Sequence, residues 1–263
     1  MSTLSIFFVL LILGVSAGVV SSFVGIGGGV IILSILYWIL PSVDPKVLLV
    51  SSLFIVLINA SFSVFNFTVF AKKRPNLPFV IKCAFSMMIG TTLGSLLMHE
   101  LPSVLIKKFF AITLIVVLAH MIWKRWSLRN KSNASTRYQV KGDLTNASSM
   151  AVAAVGFTAG VLAGLTGLGG GILLIPFFLT LFRIPIKAIP LYSNSVMCIG
   201  VIPGVISGML SSHVDLTVVA SISSGILIGG PIGVKLNQRL PAYVVEIILI
   251  LILMATSIKI LFF

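Results

Sequence analysis

The chain has 263 residues, of which 58% are hydrophobic and only 9% are charged. Soluble domains carry roughly 25% charged residues, so this composition excludes a soluble globular fold and predicts an all-α polytopic membrane protein embedded in a lipid bilayer. The net charge of +13 does not predict nucleic-acid binding. Its basic residues are spread over several short loops, and no nucleic-acid-binding motif accompanies them.

Hydropathy, loop charge and the Pro and Gly residues predict ten apolar segments in two groups of five. The first group occupies residues 1–123, with segments at about Leu4–Phe23, Val30–Leu40, Val47–Ala71, Phe79–Met98 and Leu105–Trp123. Residues 124–146 hold six basic residues and one acid, and they are predicted to form a cytoplasmic linker. The second group occupies residues 147–263, with segments at about Ala147–Leu165, Ile172–Phe182, Ile189–Leu210, Leu216–Leu236 and Tyr243–Leu261.

A glycine cluster follows the first segment of each group: Gly25-Ile26-Gly27-Gly28-Gly29 and Gly167-Leu168-Gly169-Gly170-Gly171. Each glycine costs a helix about 1 kcal/mol relative to alanine, so both apolar runs are predicted to break there. Irregular backbone is tolerated within a membrane only where it is packed in protein or lines a polar cavity. The segments that follow are too short to cross a bilayer, which predicts hairpins of unequal or partial depth.

The two groups are related as a duplication. Gly14–Ile32 aligns without a gap with Gly156–Leu174, and eight positions are identical: Gly14, Ala17, Gly18, Val19, Gly25, Gly27, Gly28 and Gly29. A second block repeats Gly-x-x-x-Gly-x-x-Leu-x-x-x-Leu-Pro, beginning at Gly90 and at Gly229. An odd number of segments in each group makes the second group enter from the opposite side, so the repeats are predicted to be inverted.

Loop charge predicts the orientation. If the N-terminus of the first segment lies outside the cell, the inner loops hold 14 basic residues and the outer loops hold 4. The positive-inside rule therefore favours a cytoplasmic linker and two external termini in the cell membrane.

A small anionic substrate is the predicted partner of the glycine clusters. New helices begin near Val30 and Ile172, and helix N-termini bind oxyanions through unpaired N–H groups and the positive end of the dipole. Short polar clusters in the third and eighth segments add side-chain candidates. The predicted substrate-binding residues are Gly25, Gly27, Gly28, Gly29, Ser51, Ser52, Gly167, Gly169, Gly170, Gly171, Asn194 and Ser195.

Two alternatives remain open at this stage. The glycines could serve close helix packing alone, as in G-x-x-x-G faces, with the serines and asparagines making interhelical hydrogen bonds. The helix that ends at each cluster also offers carbonyl groups, so a cation could bind there instead. Asn59 and Asn66 are weaker candidates for substrate contact.

An enzyme is not predicted. The four acids of the apolar groups, Asp44, Glu100, Asp215 and Glu246, all fall at or near segment ends, so no embedded acid and no coupling ion is indicated. There is no H-E-x-x-H sequence and no Walker A lysine, and the two cysteines form no C-x-x-C pair. No catalytic residue, metal or cofactor is therefore expected.

The duplicated A-G-x-x-x-G-x-x-G-x-G-G-G pattern, seen loosely at Ala17–Gly29 and closely at Ala159–Gly171, resembles that of the TauE/SafE sulfite exporter family. The resemblance covers nearly the whole chain. It implies an inner- or plasma-membrane permease for small anions such as sulfite or sulfonates. The leading hypothesis is therefore a secondary carrier that works by alternating access. The alternatives are an anion channel or a non-transporting membrane accessory protein, and a homo-oligomer is left open.

Overall fold

The computed structural model describes residues 3–39, 45–100, 148–211 and 214–241, together with residues 43, 102, 144, 244, 247, 248, 251 and 254. Within these ranges the chain forms helices and no strand. The predicted fifth segment, all but five residues of the tenth segment and nearly all of the linker lie outside the described residues. The helices are α1 (Thr3–Val24), α2 (Gly29–Ile39), α3 (Pro45–Phe70), α4 (Leu77–Glu100), α5 (Ser149–Thr166), α6 (Gly171–Thr180), α7 (Ile189–Gly200), α8 (Ile202–Ser211) and α9 (Leu216–Arg239).

Six spans in the described chain are long and apolar enough to cross a bilayer, with α7 and α8 together supplying one of them. Large apolar side chains cover the outer faces. On α4, for example, Ile81, Phe85 and Ile89 are 57%, 65% and 48% exposed. Their spacing of four residues defines a lipid-facing stripe. The prediction of an all-α polytopic membrane protein is confirmed.

The two helices that follow the glycine clusters are short, as predicted. α2 has 11 residues and α6 has 10. At 1.5 Å per residue they extend roughly 15–17 Å, about half of the hydrocarbon thickness. Neither helix can cross the membrane alone.

The predicted eighth segment is not one continuous helix. α7 ends at Gly200 and α8 begins at Ile202, and Pro203 is the second residue of α8. Proline has no N–H to bond to a carbonyl one turn earlier, and it fits best in the first turn of a new helix. The helix therefore breaks at Val201.

Glycine faces join α1 to α9 and α4 to α5. These two pairs have the most extensive helix contacts in the described chain. A Cβ at Gly14 of α1 would overlap the Ile222 carbonyl of α9, and a Cβ at Gly156 of α5 would overlap the Cys83 carbonyl of α4. The helix backbones are therefore in direct contact, which is the packing that small residues permit in membranes.

Both pairs are parallel. Along α1 and α9, Gly14 lies against Ile222 and Gly18 lies against Ile226. Along α5 and α4, Gly156 lies against Cys83 and Gly164 lies against Ser95, so the residue numbers increase in the same direction along both helices. Each pair joins the first helix of one predicted repeat to the fourth helix of the other.

One end of the bundle is strongly basic. Lys82 Nζ donates to Ser149 Oγ at 3.2 Å, and Lys187 Nζ donates to the Gln238 carbonyl at 3.2 Å. Phe79 is close to Lys82 in sequence and Tyr192 is close to Lys187, and the rings of Phe79 and Tyr192 pack against each other. The two lysine contacts therefore lie at the same end of the bundle. This basic end carries no described acid, and its cations are Lys72, Lys73, Arg74, Lys82, Arg183, Lys187, Lys235 and Arg239.

The opposite end, here termed the acidic end, holds both acids in the described chain. Glu100 ends α4 there. Asp215 caps α9 by accepting hydrogen bonds from the N–H groups of Thr217 and Val218, at 3.0 and 3.2 Å. The backbone N–H of Asp215 donates to Ser51 Oγ at 3.3 Å, which ties the start of α9 to the start of α3. Lys46 is the one described cation at this end.

Candidate substrate site

Two glycine loops form the centre of the bundle: loop 1 is Gly25–Gly28 and loop 2 is Gly167–Gly170. Three equivalent positions in each loop have a positive φ. The values are 93°, 83° and 78° at Gly25, Gly27 and Gly28, and 69°, 80° and 73° at Gly167, Gly169 and Gly170. Side chains of L-residues rarely permit this backbone conformation. The two loops therefore adopt the same fold, and that fold requires glycine.

The loops meet each other beside the middle of α3. A Cβ at Gly29 would lie 2.9 Å from the Leu168 carbonyl oxygen, and a Cβ at Gly171 would lie 2.6 Å from the Ile26 carbonyl oxygen. Val56 of α3 stands between the loops, because its methyl groups would contact a Cβ at Gly29 and at Gly169. The N-termini of α2 and α6 therefore lie next to each other, near the middle of the bundle.

Each loop reaches this place from a different end of the bundle. Gly25 packs against Pro190 and Ser193 at the start of α7, toward the basic end, and Gly167 packs against Leu49 at the start of α3, toward the acidic end. α1 therefore crosses most of the bundle before loop 1 turns back to the middle. α5 does the same in the opposite direction before loop 2 turns back.

Several backbone N–H groups at the starts of α2 and α6 have no acceptor. The first amide bonded at α2 is that of Ile32, which donates to the Gly28 carbonyl at 3.0 Å. The corresponding bonds at α6 run from Leu173 and Leu174 to the Gly170 carbonyl. The buried residues before them, Gly29, Val30, Gly171 and Ile172, donate no hydrogen bond in the described network. Buried unpaired N–H groups are rare in proteins, so these amides are available to a ligand or to water.

The carbonyl groups at the end of α1 are already occupied. Asn237 Nδ2 donates to the Phe23 carbonyl at 2.8 Å, and Asn59 Nδ2 donates to the Gly27 carbonyl at 2.9 Å. Ser193 Oγ lies 2.8 Å from the Gly25 carbonyl and 2.9 Å from the Ile189 carbonyl, so its one proton is shared between them. These donors come from α9, α7 and α3. These three carbonyl groups therefore accept hydrogen bonds, whereas the first amides of α2 donate none, which disfavours a cation at this place.

The predicted side-chain candidates separate into two kinds. Ser51 Oγ accepts the Asp215 N–H, and Ser195 Oγ donates to the Leu191 carbonyl at 2.7 Å, so both make structural hydrogen bonds. Ser52 Oγ is buried without a partner. Asn194 Nδ2 donates to Ser63 Oγ at 3.0 Å, and its Oδ1 is buried without a partner. Substrate contact by any of the four stays a prediction.

Sequence reasoning overlooked the residues that hold loop 1 in place. Asn59 ranked as a weak candidate, while Ser193 and Asn237 were not selected. Ser193 belonged to a polar cluster of which only the next two residues were chosen. Asn237 lies between Lys235 and Arg239 and therefore resembled a loop-side residue. No local signal marks Asn237, because its partner Phe23 is 214 residues away in sequence.

Comparison with known proteins identifies the family of this chain. The sulfite exporter TauE/SafE family matches residues 10–260. The chain belongs to this family. It is 26% identical over 262 residues to the probable membrane transporter protein YunE of Bacillus subtilis (strain 168), covering 94% of each chain.

Two further relatives carry a similar description. A probable membrane transporter protein of Haemophilus influenzae is 29% identical over 199 residues, covering 74% of this chain and 69% of the relative. A probable membrane transporter protein of Methanocaldococcus jannaschii is 27% identical over 248 residues, covering 88% and 86%. No solved structure was found to match this chain. The TauE/SafE family and the six apolar spans together identify a multi-pass membrane protein with a transport role.

Proposed function

We propose that this TauE/SafE protein is a secondary transporter for a small anion: sulfite, a sulfonate or a related organosulfur or carboxylate anion. The observation that carries the proposal is the meeting of two helix starts at mid-depth, each with buried N–H groups that lack an acceptor. The positive ends of two helix dipoles then act on one place, in surroundings of low dielectric.

Charge at the site favours an anion over a cation. The carbonyls of Phe23, Gly25 and Gly27 already accept hydrogen bonds, which weakens them as cation ligands. Both described acids, Glu100 and Asp215, lie at helix ends, so no described carboxylate faces the loops. A cation would therefore meet donors without a counter-charge, whereas an oxyanion would meet the groups that recognise it.

Helix directions support inverted repeats and alternating access. α1 ends toward the basic end and α5 begins there; α4 begins at that end and α9 finishes there. α3 runs toward the basic end, whereas α7 and α8 run away from it, because Gly208 of α8 packs on Val50 at the start of α3. Many secondary transporters consist of two inverted halves around a central site, and movement of the halves exposes that site alternately to the two sides of the membrane. The halves would be residues 1–123 and 147–263.

Loop charge supports the orientation in the cell membrane. Eight cations without a described acid surround one end of the bundle, and the positive-inside rule assigns such an end to the cytoplasm. The linker at 124–146 would then be cytoplasmic and both termini external.

Flux in proteoliposomes tests the proposal. Purified protein is reconstituted, and uptake of labelled sulfite, sulfoacetate and acetate is compared with uptake of labelled Na⁺. We expect saturable uptake of at least one anion, accelerated by the same anion trapped inside the vesicles, because a carrier reorients faster when loaded. Flux that neither saturates nor responds to internal anion would indicate a channel. Uptake of the cation alone would overturn the anion assignment.

A further inference from the structure

Two turns at the basic end hold a cation in a backbone conformation that normally belongs to glycine. Lys72, shortly after α3, has a φ of 50°, and Arg183, shortly after α6, has a φ of 51°. They are the described residues other than glycine that have a positive φ. A residue in this conformation after a helix is usually glycine and sometimes asparagine. We term residues 71–74 basic turn 1 and residues 182–184 basic turn 2.

The left-handed backbone is unfavourable for both cations. A Cβ in this region crowds the following carbonyl, whereas glycine avoids that contact. The helix dipole attracts a cation at an exposed C-terminus, but this gain is smaller than the cost of the left-handed backbone. The positive-inside rule accounts for cations at this end of the bundle but not for their presence at left-handed positions. Strained backbone often marks a functional position, so we expect both side chains to interact outside the fold.

Both basic turns border one aromatic cluster, which is formed by Phe79, Phe178, Phe182 and Tyr192. The ring centroids of Phe79 and Phe182 are 5.1 Å apart, and Arg183 follows Phe182 directly. Basic turn 1 reaches the same cluster through Asn76, whose backbone N–H donates to the Tyr192 hydroxyl at 3.2 Å. The ends of α3 and α6 therefore lie on two sides of the start of α4.

No described acid at this end offsets the positive charge. α4 begins at Leu77, and its N-terminus carries the positive end of the helix dipole. Asn76 caps α4 with a neutral amide, whose Oδ1 accepts the Phe79 N–H at 3.2 Å. The acidic end differs, because Asp215 caps α9 there with a carboxylate. The described groups beside the basic turns therefore favour an anion.

Exposed apolar side chains lead up to both basic turns. Val69 lies near the end of α3, Leu77 and Ile81 lie in the first turns of α4, and Leu181 precedes basic turn 2. These residues belong to the lipid-facing surface, and the cations beside them are exposed as well. Cations at the edge of such a surface lie at the depth of the lipid headgroups.

We propose that the two basic turns bind the phosphate group of an anionic phospholipid. The cations and the start of α4 supply the complementary charge, and the adjoining apolar side chains contact the acyl chains. This apolar surface favours a lipid over a soluble anion. The bound headgroup would link the end of α3 to the end of α6, which belong to different halves of the chain. Such binding does not depend on which substrate the protein transports.

Lipid titration of the purified protein in a neutral detergent tests the proposal. Phosphatidylglycerol and phosphatidylcholine with the same acyl chains are added separately, and the melting temperature and native mass spectrum are recorded. We expect phosphatidylglycerol to raise the melting temperature and to remain bound in the mass spectrometer, because it binds the folded protein. Phosphatidylcholine and inorganic phosphate should do neither. Equal effects of the two lipids would overturn the inference, and an equal effect of inorganic phosphate would assign the turns to a soluble anion instead.

Lys72→Gly and Arg183→Gly remove the cations and relieve the left-handed backbone. Without lipid, both variants should therefore melt close to the wild-type temperature. Each should bind phosphatidylglycerol about fivefold more weakly, and the double variant about 30-fold more weakly, since each Lys or Arg near an anionic headgroup contributes about this much. Lys72→Asn and Arg183→Asn form a second pair, because asparagine also tolerates the left-handed region. They should show the same losses.

Three control variants separate the basic turns from total charge. Lys72→Arg and Arg183→Lys keep the cation and should bind phosphatidylglycerol within about twofold of the wild type. Lys235→Gln removes an exposed cation of the same end that has no positive φ, and it should do the same. Wild-type binding by the double glycine and double asparagine variants would overturn the inference. A loss in Lys235→Gln as large as that in Lys72→Gly would also overturn it, because binding would then follow total charge.

Discussion

Gly28→Ala and Gly170→Ala should each reduce anion uptake at least about 30-fold in proteoliposomes, with the protein still folded. Both glycines have a positive φ, where an alanine costs roughly 1–2 kcal/mol. A Cβ would also lie 2.6 Å from Asn59 Nδ2 at Gly28 and 2.6 Å from the Ala159 carbonyl oxygen at Gly170. Relief of these contacts turns the N–H groups of α2 or α6 away from the site. A loss of about 2 kcal/mol in anion binding corresponds to about 30-fold.

Ile26→Val and Leu168→Val are matched controls in the same two loops. Each removes one methylene from a buried residue whose φ is not positive. They should lower stability by about 1 kcal/mol and leave uptake within about twofold of the wild type. If these variants lost uptake as fully as the glycine variants, loop packing rather than backbone N–H orientation would explain the effect.

Gly14→Val and Gly156→Val should destabilise the protein by about 3 kcal/mol each. They occupy equivalent positions in α1 and α5, and each new Cβ would overlap a carbonyl group of the partner helix, at Ile222 or Cys83. The helices must separate to accommodate it, which breaks contacts along the whole pair. Such overpacking typically costs 1–3 kcal/mol, and direct backbone overlap lies at the upper limit. Unfolding by SDS in mixed micelles would measure the loss.

Ile12→Val and Thr158→Val are the controls on the outer faces of the same two helices, where both residues are exposed. Their unfolding midpoints should stay within about 0.5 kcal/mol of the wild type. Wild-type stability in either glycine variant would show that its helix pair does not pack as described. A large loss in the controls would show that the helices are sensitive to substitution on any face.

The sequence alone was sufficient to predict the helical hairpins and their glycine loops. Both signals are local: an apolar run gives a membrane helix, and successive glycines end it. The break at Val201 was missed because a proline is a weak indicator of a helix end in membrane proteins. Pro176 and Pro231 lie inside the continuous helices α6 and α9, whereas Pro203 begins a new helix. Whether a proline interrupts its helix depends on contacts with the neighbouring helices.

The pairing of helices between the two halves could not be predicted. In a soluble protein the apolar face of a helix indicates which side is buried, but here both lipid and protein interior accept apolar residues. Duplication predicted that loops 1 and 2 are related. It did not predict that α1 packs on α9, nor that Asn237 holds the end of α1. These are long-range contacts without a local pattern.

Substrate contact by the predicted site residues stays a prediction, but the structure does show that the predicted glycines form the two central loops, whereas the polar residues are divided between bonded and unbonded side chains. Glycine was recognisable because a positive φ excludes almost every other residue. Ser51 and Ser195 were selected from a local cluster, yet their hydroxyls serve the ends and turns of helices. Ser52, Asn59, Ser63 and Asn66 share one side of α3, and this spacing of buried polar residues is visible in the sequence.

The pairing of α1 with α9 also constrains how the protein is made. Phe23 and Asn237 are bonded although 214 residues separate them, so α1 enters the bilayer long before its partner has been synthesised. Until then its glycine face meets lipid or the translocation machinery. α4 likewise precedes α5, and it must wait for the whole linker to emerge. Assembly of the bundle is therefore a late event in biosynthesis. A chain truncated before α9 should insert into the membrane but remain susceptible to quality-control proteases.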